Sequence, residues 1–421
     1  MKAVSWERKP LGAVADLCLG KMLDQNKNRG EPLPYLANVN VRWGEFELSD
    51  LRTMRFEPKE MDRYGLKFGD IVMCEGGEPG RCAIWKDQIP GMMIQKAIHR
   101  IRPKEFLDYR FLFYSFLRLG NSRIFDQYFT GATIKHLPGE KLAKVEVDIP
   151  PLPIQQRIAG ILSAYDELIE NSQRRIRILE ALARALYREW FVHFRFPGHE
   201  NHPRVASPLG EIPQGWETIA FTEIADVLSG GTPKTSTLEY WDGEIPFFTP
   251  RDAPDCFYVE DADKHVTELG LSKCASQLYP PDTVFITARG TVGKVTLPSV
   301  PMAMNQSCYA LRGKSGISQR FLFLMTLQQV EYLKTNTGGA TFDTIVVDTF
   351  RRMQIAKPPH DLIAAFTRNV DAVFEQVNTL QRQIQNLRRT RDLLLPRLLS
   401  GQLAVDAVSG AISDSPAGPP Q

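Results

Sequence analysis

The sequence predicts an α+β fold in which two mixed domains are separated by two long helices forming an antiparallel coiled coil, with an internal pseudo-twofold repeat. Three observations carry this expectation. The chain repeats itself: Trp6-Glu7 followed by Ala15-Asp16 returns about 210 residues later as Trp216-Glu217 followed by Ala225-Asp226. Glycine and proline punctuation repeats too, Gly131-Ala132-Thr133 and Pro150-Pro151 matching Gly339-Ala340-Thr341 and Pro358-Pro359. Finally, the apolar period changes after each double proline, from short runs between turn residues to a heptad step. With 421 residues, 43% of them hydrophobic and 24% charged, the chain holds enough apolar material for two or three cores.

Residues 1–149 read as the first mixed domain. Runs such as Asp70-Ile71-Val72-Met73 lie between Gly, Pro and Asp breaks and predict short strands, and Phe106 to Leu119 predicts a helix. Residues 150–196 read as the first long helix. Pro153 suits a first turn, and Ile154, Ile158, Ile161, Tyr165 and Leu168 keep the 4-3-4-3 step of a seam that blurs at Ser172 and Arg175 and resumes with Leu179, Leu182 and Leu186. Trp190 to Gly198, then Asn201-His202-Pro203, reads as a helix stop and a linker over 197–208.

Residues 209–356 repeat the mixed pattern, with a strand at Thr283-Val284-Phe285-Ile286 and a helix over Ser318 to Leu333. Residues 357–405 repeat the long helix with a cleaner seam: Phe366, Val370, Val373, Val377, Leu380, Ile384 and Leu387, Arg391 as the exception, then Leu394. Such a helix would be about 60 Å long at 1.5 Å per residue, and the economical partner for each is the other, run antiparallel with one domain toward each end of a dumb-bell. Folding each helix back on its own domain is the alternative. Residues 406–421, rich in Gly, Ala, Ser and Pro, predict a disordered tail.

Several function classes lose support at this level. Lys plus Arg exceed Asp plus Glu by 51 to 49, so charge alone would not hold a polyanion. Cys18, Cys74, Cys82, Cys256, Cys274 and Cys308 include no C-x-x-C pair, which favours free buried thiols over a disulfide framework or zinc knuckle. No apolar run is long enough to cross a membrane and the first residues lack a signal-peptide layout, so a cytoplasmic protein is expected. Gly290-x-x-Gly293-Lys294 is followed by Val295 and lacks the spacing of a phosphate loop. His193, His199 and His202 straddle a linker with no carboxylate at ligand spacing, which argues against a metal site. Pro150-Pro151-Leu152 and Pro358-Pro359-His360 lack the polar leader and aromatic that a base-flipping amino-methyltransferase loop needs. The chain therefore reads as a binding scaffold without catalytic residues.

What remains is a set of loops mixing basic, amide, hydroxyl and aromatic residues, chemistry that suits sequence readout on DNA. The expected DNA-binding residues are Asn40, Arg81, Gln95, Thr133 and Lys135 in the first copy, and Arg251, Arg289, Lys294, Gln306 and Thr341 in the second. Two like domains a fixed distance apart would read a bipartite site with an unread gap. The loop Cys74-Glu75-Gly76-Gly77-Glu78-Pro79-Gly80 is acidic where Thr287-Ala288-Arg289-Gly290-Thr291-Val292-Gly293 is basic, so the two elements should differ.

Several strings resemble the specificity subunit of type I restriction-modification systems, and the resemblance covers nearly the whole chain. Pro150-Pro151-Leu152-Pro153-Ile154-Gln155-Gln156-Arg157-Ile158 with Leu162 and Asp166 resembles the start of that family's first conserved helix, and Trp190-Phe191 with Phe194 its end. Gly230-Gly231-Thr232-Pro233, then Tyr240-Trp241, Gly243 and Ile245-Pro246, resembles the opening of a target recognition domain, and Leu394-Leu395-Pro396-Arg397-Leu398-Leu399-Ser400-Gly401 the close of the second helix. The first domain departs from the pattern, with Gly20-Lys21-Met22-Leu23 in place of the Gly-Thr-Pro turn. The resemblance implies a non-catalytic subunit whose domains each read half of an interrupted double-stranded DNA target. It implies two copies of an adenine-N6 methyltransferase subunit as partners, bringing S-adenosylmethionine. A restriction subunit would act through them with ATP and Mg. Two expectations compete with it: a coiled-coil interaction scaffold that binds no DNA, and a self-sufficient DNA enzyme that methylates or cleaves by itself.

Overall fold

The computed structural model describes residues 6–24, 28–336 and 344–403. Thr341 and the tail beyond residue 403 lie outside them. The chain forms two compact units, Met1–Ile169 with Asn386–Gln421, and Glu170–Gln385. Each contains one mixed domain and a stretch of both long helices.

In the first unit an antiparallel sheet runs Ala15–Leu19, Ile98–Pro103, Ile71–Cys74, Cys82–Ile84. A second sheet places Glu31–Leu36 between Arg52–Phe56 and Met93–Ile94, the last pair parallel with Leu36 opposite Ile94. Glu7–Pro10 pairs with Glu146–Ile149 and so ties the start of the domain to its end. The helix expected from Phe106 begins instead at Tyr109 and runs to Asn121, because the Asp108 carboxylate accepts the backbone N–H groups of Arg110 and Phe111 and caps it there.

The second unit repeats these elements. Its sheet runs Ala225–Ser229, Cys308–Gly313, Val284–Thr287, Val295–Pro298, with Tyr258–Val259 added at the edge. Trp241–Phe248 lies between His265–Val266 and Ala303–Met304, again with one parallel pair. Glu217–Ala220 pairs with Gln354–Lys357, and the helix spans Gln319–Asn336. One addition stands in the expected linker, a hairpin of Arg204–Ser207 with Gly210–Pro213.

The long helices are Leu152–Tyr187, extended by a π-turn over Arg188–Val192, and His360–Leu399. They pair antiparallel inside each unit. In the first, Asp166 meets Arg391, and Ile158, Ala159 and Leu162 share a core with Leu395, Leu398, Leu399 and the mixed domain's Phe111 and Leu112. In the second, Tyr187, Trp190 and Phe191 close around Phe366 and the mixed domain's Phe321. The helices therefore bury apolar surface against each other and against the adjoining domain at once. Among the described residues no helix is long and apolar enough to cross a membrane.

The buried stripe on the first long helix is not the one the apolar residues mark. It runs through Gln155, Ile158, Ala159, Leu162, Ile169, Ser172, Ile176, Glu180, Ala183 and Tyr187. Of the expected seam only Ile158 is buried, Ile154, Ile161, Tyr165, Leu179 and Leu186 are half-buried, and Leu168 and Leu182 are 54% and 53% exposed, which places both outside the buried stripe. The cause is geometric. An α-helix turns every 3.6 residues and drifts off a strict 3.5-residue repeat, and the drift brings polar and small residues into the contact. Gln155 is buried because its amide accepts the Asp108 N–H and donates to the Phe106 and Pro150 carbonyls. On the second helix Phe366, Val370, Val377, Leu380 and Ile384 are buried, while Val373, Leu387 and Leu394 are half-buried beside the better-buried Phe374 and Leu395.

Arg391, the seam's exception, is a partner and not a flaw. Its Nη1 donates to Asp166 Oδ1 at 2.5 Å, and Asp166 Oδ2 accepts the Tyr114 hydroxyl at 2.5 Å. Removing any member would strand the others half-buried, so the node ties helix register to the domain.

Glu180 is the costly member of the second unit's stripe. It is 3% exposed, its Oε1 accepts the Phe257 N–H at 2.6 Å, and burial pushes its carboxyl up to about 6, partly offset by that N–H and by Arg184. The folded state holds a proton the unfolded state has released between the ordinary value of 4.5 and about 6, so stability falls as pH rises through that window. Glu180→Gln keeps the acceptor and removes the buried charge. The expected result, in urea titrations at pH 8 and pH 4.5, is a gain of about 1–2 kcal/mol at the higher pH that disappears at the lower.

Candidate functional site

At one end of each main sheet five loops converge, and the same backbone hydrogen bonds hold them in both units. In the first, Gln95 N donates to Leu36 O, Lys21 N to Ile94 O, Glu75 N to Ala97 O, Leu137 N to Glu75 O, and Gly80 N to Cys74 O, all between 2.8 and 3.0 Å. In the second the counterparts are Asn305 N to Phe248 O, Gly231 N to Met304 O, Ala288 N to Ser307 O, Ile345 N to Ala288 O, and Gly293 N to Thr287 O, between 2.8 and 3.2 Å. Loops that satisfy their own backbone in this way leave side chains at the tips available for a ligand.

Glycine permits the closest approach in each. A Cβ on Gly20 would lie 2.3 Å from Gln95 O, and one on Gly230 would lie 2.1 Å from Asn305 O. Gly20-Lys21-Met22 therefore takes the same course as Gly230-Gly231-Thr232 although the Gly-Thr-Pro turn is missing. Lys21 is buried, its ammonium held by Glu60 at 2.6 Å and over the Phe56 ring. Beneath the first cluster His99 is buried with Nε2 2.9 Å from Leu137 O, and burial holds its imidazole below the usual value, so it is neutral. Burial likewise raises the thiols of Cys74 and, in the second unit, Cys308.

The expected DNA-binding residues divide sharply by their partners. Two are spent on structure. Asn40 is 6% exposed, its carboxamide oxygen accepting Ala37 N–H and its nitrogen donating to the Glu47 and Asp50 carbonyls. Arg81 donates to Glu78 at 2.6 Å and to the Asn38 carbonyl at 3.0 Å, bracing one loop against the next. Lys294 is neutralised by Asp255. In all three, local carboxylates and carbonyls take donors that would otherwise face a ligand. Gln95 is half-buried and serves through its backbone.

The others among the described residues are exposed at the loop tips. Lys135 lies over the Phe129 ring and 3.7 Å from Asp126, and Thr133 is beside it. Gln306 accepts the Thr232 hydroxyl. Arg251 and Arg289 are exposed, and neither guanidinium has a partner among the described residues. Their loops adjoin, since a Cβ on Gly290 would sit 3.9 Å from Pro250 Cβ. Asp252, next to Arg251 in the chain, accepts from Thr249 and the Asp263 N–H. Two such guanidiniums on adjoining loops can take bidentate acceptors such as guanine O6/N7 or phosphate.

Sequence reasoning missed two tip residues in the first unit, Val39 and Ile134, which are 62% and 65% exposed. In sequence an isolated Val or Ile reads as core, and no pattern distinguished them. Among the described residues no group of three or more His, Cys, Asp or Glu side chains could hold a metal ion.

The sequence pattern of a family described as "Type I restriction modification DNA specificity domain" matches residues 3–181 and again 213–386. The chain is 26% identical over 342 residues to the type I restriction enzyme MjaIX specificity subunit of Methanocaldococcus jannaschii, covering 80% of this chain and 78% of that one. It is 24% identical over 331 residues to the type I restriction enzyme HindI specificity subunit of Haemophilus influenzae, covering 64% and 72%. Its fold is similar to the crystal structure of a type I restriction-modification system S subunit from M. genitalium, with a TM-score of 0.56, 17% identity, and 94% and 97% of the two chains covered.

Proposed function

The chain belongs to the type I restriction modification DNA specificity family, and from that premise we propose that it reads a bipartite, interrupted DNA target, one element per mixed domain, in a cytoplasmic complex. Residues 1–149 and 209–356 are the two target recognition domains. The observation that carries the reading is the pair Arg251 and Arg289, two guanidiniums without a partner among the described residues, on adjoining loops at the sheet end where five loops converge. An uncommitted arginine at a surface of this kind is suited to a base edge, whereas the paired Arg81 and Lys294 are not. Thr133, Lys135 and Gln306 join it as polar tip contacts, Lys135 to phosphate.

The chain itself supplies no catalytic group in this reading. Two copies of an adenine-N6 methyltransferase subunit dock on it with S-adenosylmethionine, and a restriction subunit using ATP and Mg acts through them. Exposed apolar side chains on the long helices support docking: Leu168 and Leu393 in the first unit, Ile178 and Leu182 in the second, all 53% exposed or more. Leu168 is thus assigned to a partner contact and not to the internal seam.

The test is to express the chain with its methyltransferase partner and map N6-methyladenine by single-molecule sequencing, against cells lacking the chain. The expected result is one interrupted two-part motif that vanishes with the chain. A methylation pattern indifferent to the chain sinks the DNA-reading role and leaves a coiled-coil scaffold.

A further inference from the structure

The two loop clusters correspond position by position along the chain, by their strand ends and shared backbone hydrogen bonds, and that equivalence exposes a difference in what they offer a base pair. Arg251 stands three residues beyond the strand end Phe248, and Val39 stands three beyond the equivalent strand end Leu36. Arg289 stands two residues beyond Thr287, and Gly76 stands two beyond Cys74. Where the second unit has two guanidiniums without a partner among the described residues, the first has an exposed valine and a glycine. The arginine on the valine's turn, Arg42, is folded back on it, its Nη1 donating to the Val39 and Val41 carbonyls. His136 occupies the space beside Gly76, its Nδ1 3.0 Å from where a Cβ would stand, and Arg81 is taken by Glu78 and the Asn38 carbonyl.

On the two loops beside Gly76 the first unit presents apolar tips, next to the polar Thr133 and Lys135. Asn38 Nδ2 donates to the Gly76 carbonyl, so the Asn38–Asn40 turn lies against the Gly76 loop. The Thr130–His136 hairpin bridges to the same Gly76, and its turn is tight enough that a Cβ on Gly131 would meet Ile134 O at 2.2 Å. Val39 and Ile134 thus stand on the two loops that flank Gly76, both more than three-fifths exposed. In the major groove the one apolar feature of a base edge is the thymine 5-methyl, which a β-branched tip contacts, whereas guanine presents the O6/N7 acceptor pair that suits arginine.

We infer that the two halves of the target are read by different chemistry: the second unit reads guanine through Arg251 and Arg289, and the first reads a thymine methyl group through Val39 and Ile134. The inference rests on the DNA-reading role proposed above and adds the base identity that each unit recognises.

The test uses the full chain assembled with its methyltransferase partner and duplexes carrying the mapped target. Deoxyuridine in place of thymidine removes only the methyl, and 7-deazaguanine in place of guanine removes only the N7 acceptor. For the natural chain, deoxyuridine at one thymine position of one half weakens binding about fourfold, the worth of one buried methyl group. A 7-deazaguanine in the other half weakens it roughly tenfold, within the range for a bidentate arginine contact. The double variant Val39→Ala with Ile134→Ala abolishes the deoxyuridine effect and keeps the 7-deazaguanine effect, and Arg251→Ala with Arg289→Ala does the reverse. Both pairs are exposed, so folding survives their loss, and the analogue duplexes also test the natural chain directly. Insensitivity to deoxyuridine at every thymine overturns the inference, as do both effects in the same half or variants that leave them unchanged. Absence of any chain-dependent motif is a different result, and it removes the DNA-reading role itself.

Discussion

Replacing Arg251 and Arg289 together by alanine is expected to weaken binding to the cognate site by about 2–6 kcal/mol, the sum of two bidentate contacts of 1–3 kcal/mol each. Loss on non-cognate DNA should be much smaller, because those side chains distinguish sequences and the phosphate contacts remain. The measurement is a pair of titrations, cognate and scrambled duplex, at one stated salt concentration. An equal loss on both duplexes would reassign the arginines to the backbone, and no loss on either would remove them from the interface. The expectation depends on their having no partner among the described residues: neither guanidinium gives up an ion pair there to meet DNA, so little of the contact is offset. Lys294→Ala is a useful contrast. It releases Asp255 and should cost the complex far less, since its charge is already answered within the loop.

Phe366→Ala should be the most damaging single change to the second unit. The side chain is fully buried, with Tyr187, Trp190, Phe191 and Phe321 all within 6.2 Å between ring centroids. Truncation removes a large apolar surface and leaves a cavity walled by rings that cannot collapse together, a loss of about 3–5 kcal/mol. A chemical denaturation curve should show a lower midpoint for the second unit. Because Phe366 joins the two long helices to the mixed domain, a loss below about 1 kcal/mol would mean that the aromatic cluster does not hold these elements together.

The repeat was legible in the sequence because it is written in residues that backbone geometry constrains. Trp6-Glu7 and Trp216-Glu217 open equivalent strand pairs, and Pro150-Pro151 and Pro358-Pro359 precede equivalent helices. Gly20 was harder, since the residues after it depart from the turn in the second copy. It is nevertheless fixed by the same backbone approach as Gly230. The seam was legible on the second helix and misleading on the first. There, Gln155, Ser172 and Glu180 occupy buried positions that an apolar count skips, while Leu168, which such a count selects, is exposed.

The site was legible as a set of loops and not as a set of residues. Asn40, Arg81 and Lys294 have the chemistry of DNA contacts, as Arg251 and Arg289 do, and sequence carries no sign of which donors a fold consumes internally. That depends on carbonyls and carboxylates brought near by other segments: Glu47 and Asp50 for Asn40, Asn38 for Arg81, Asp255 for Lys294.

By itself, then, the sequence determined the α+β class, the twofold repetition of elements, the order of domain and helix, and the family. All of these are carried by local periodicity, turn residues and recurring strings, which need no knowledge of distant neighbours. Only the tertiary structure decided which face of the first helix is buried, why Arg391 interrupts the second, and which basic side chains have partners among the described residues. Those outcomes depend on groups far apart in sequence competing for the same hydrogen bonds and the same buried surface, and that competition exists only once the chain has folded.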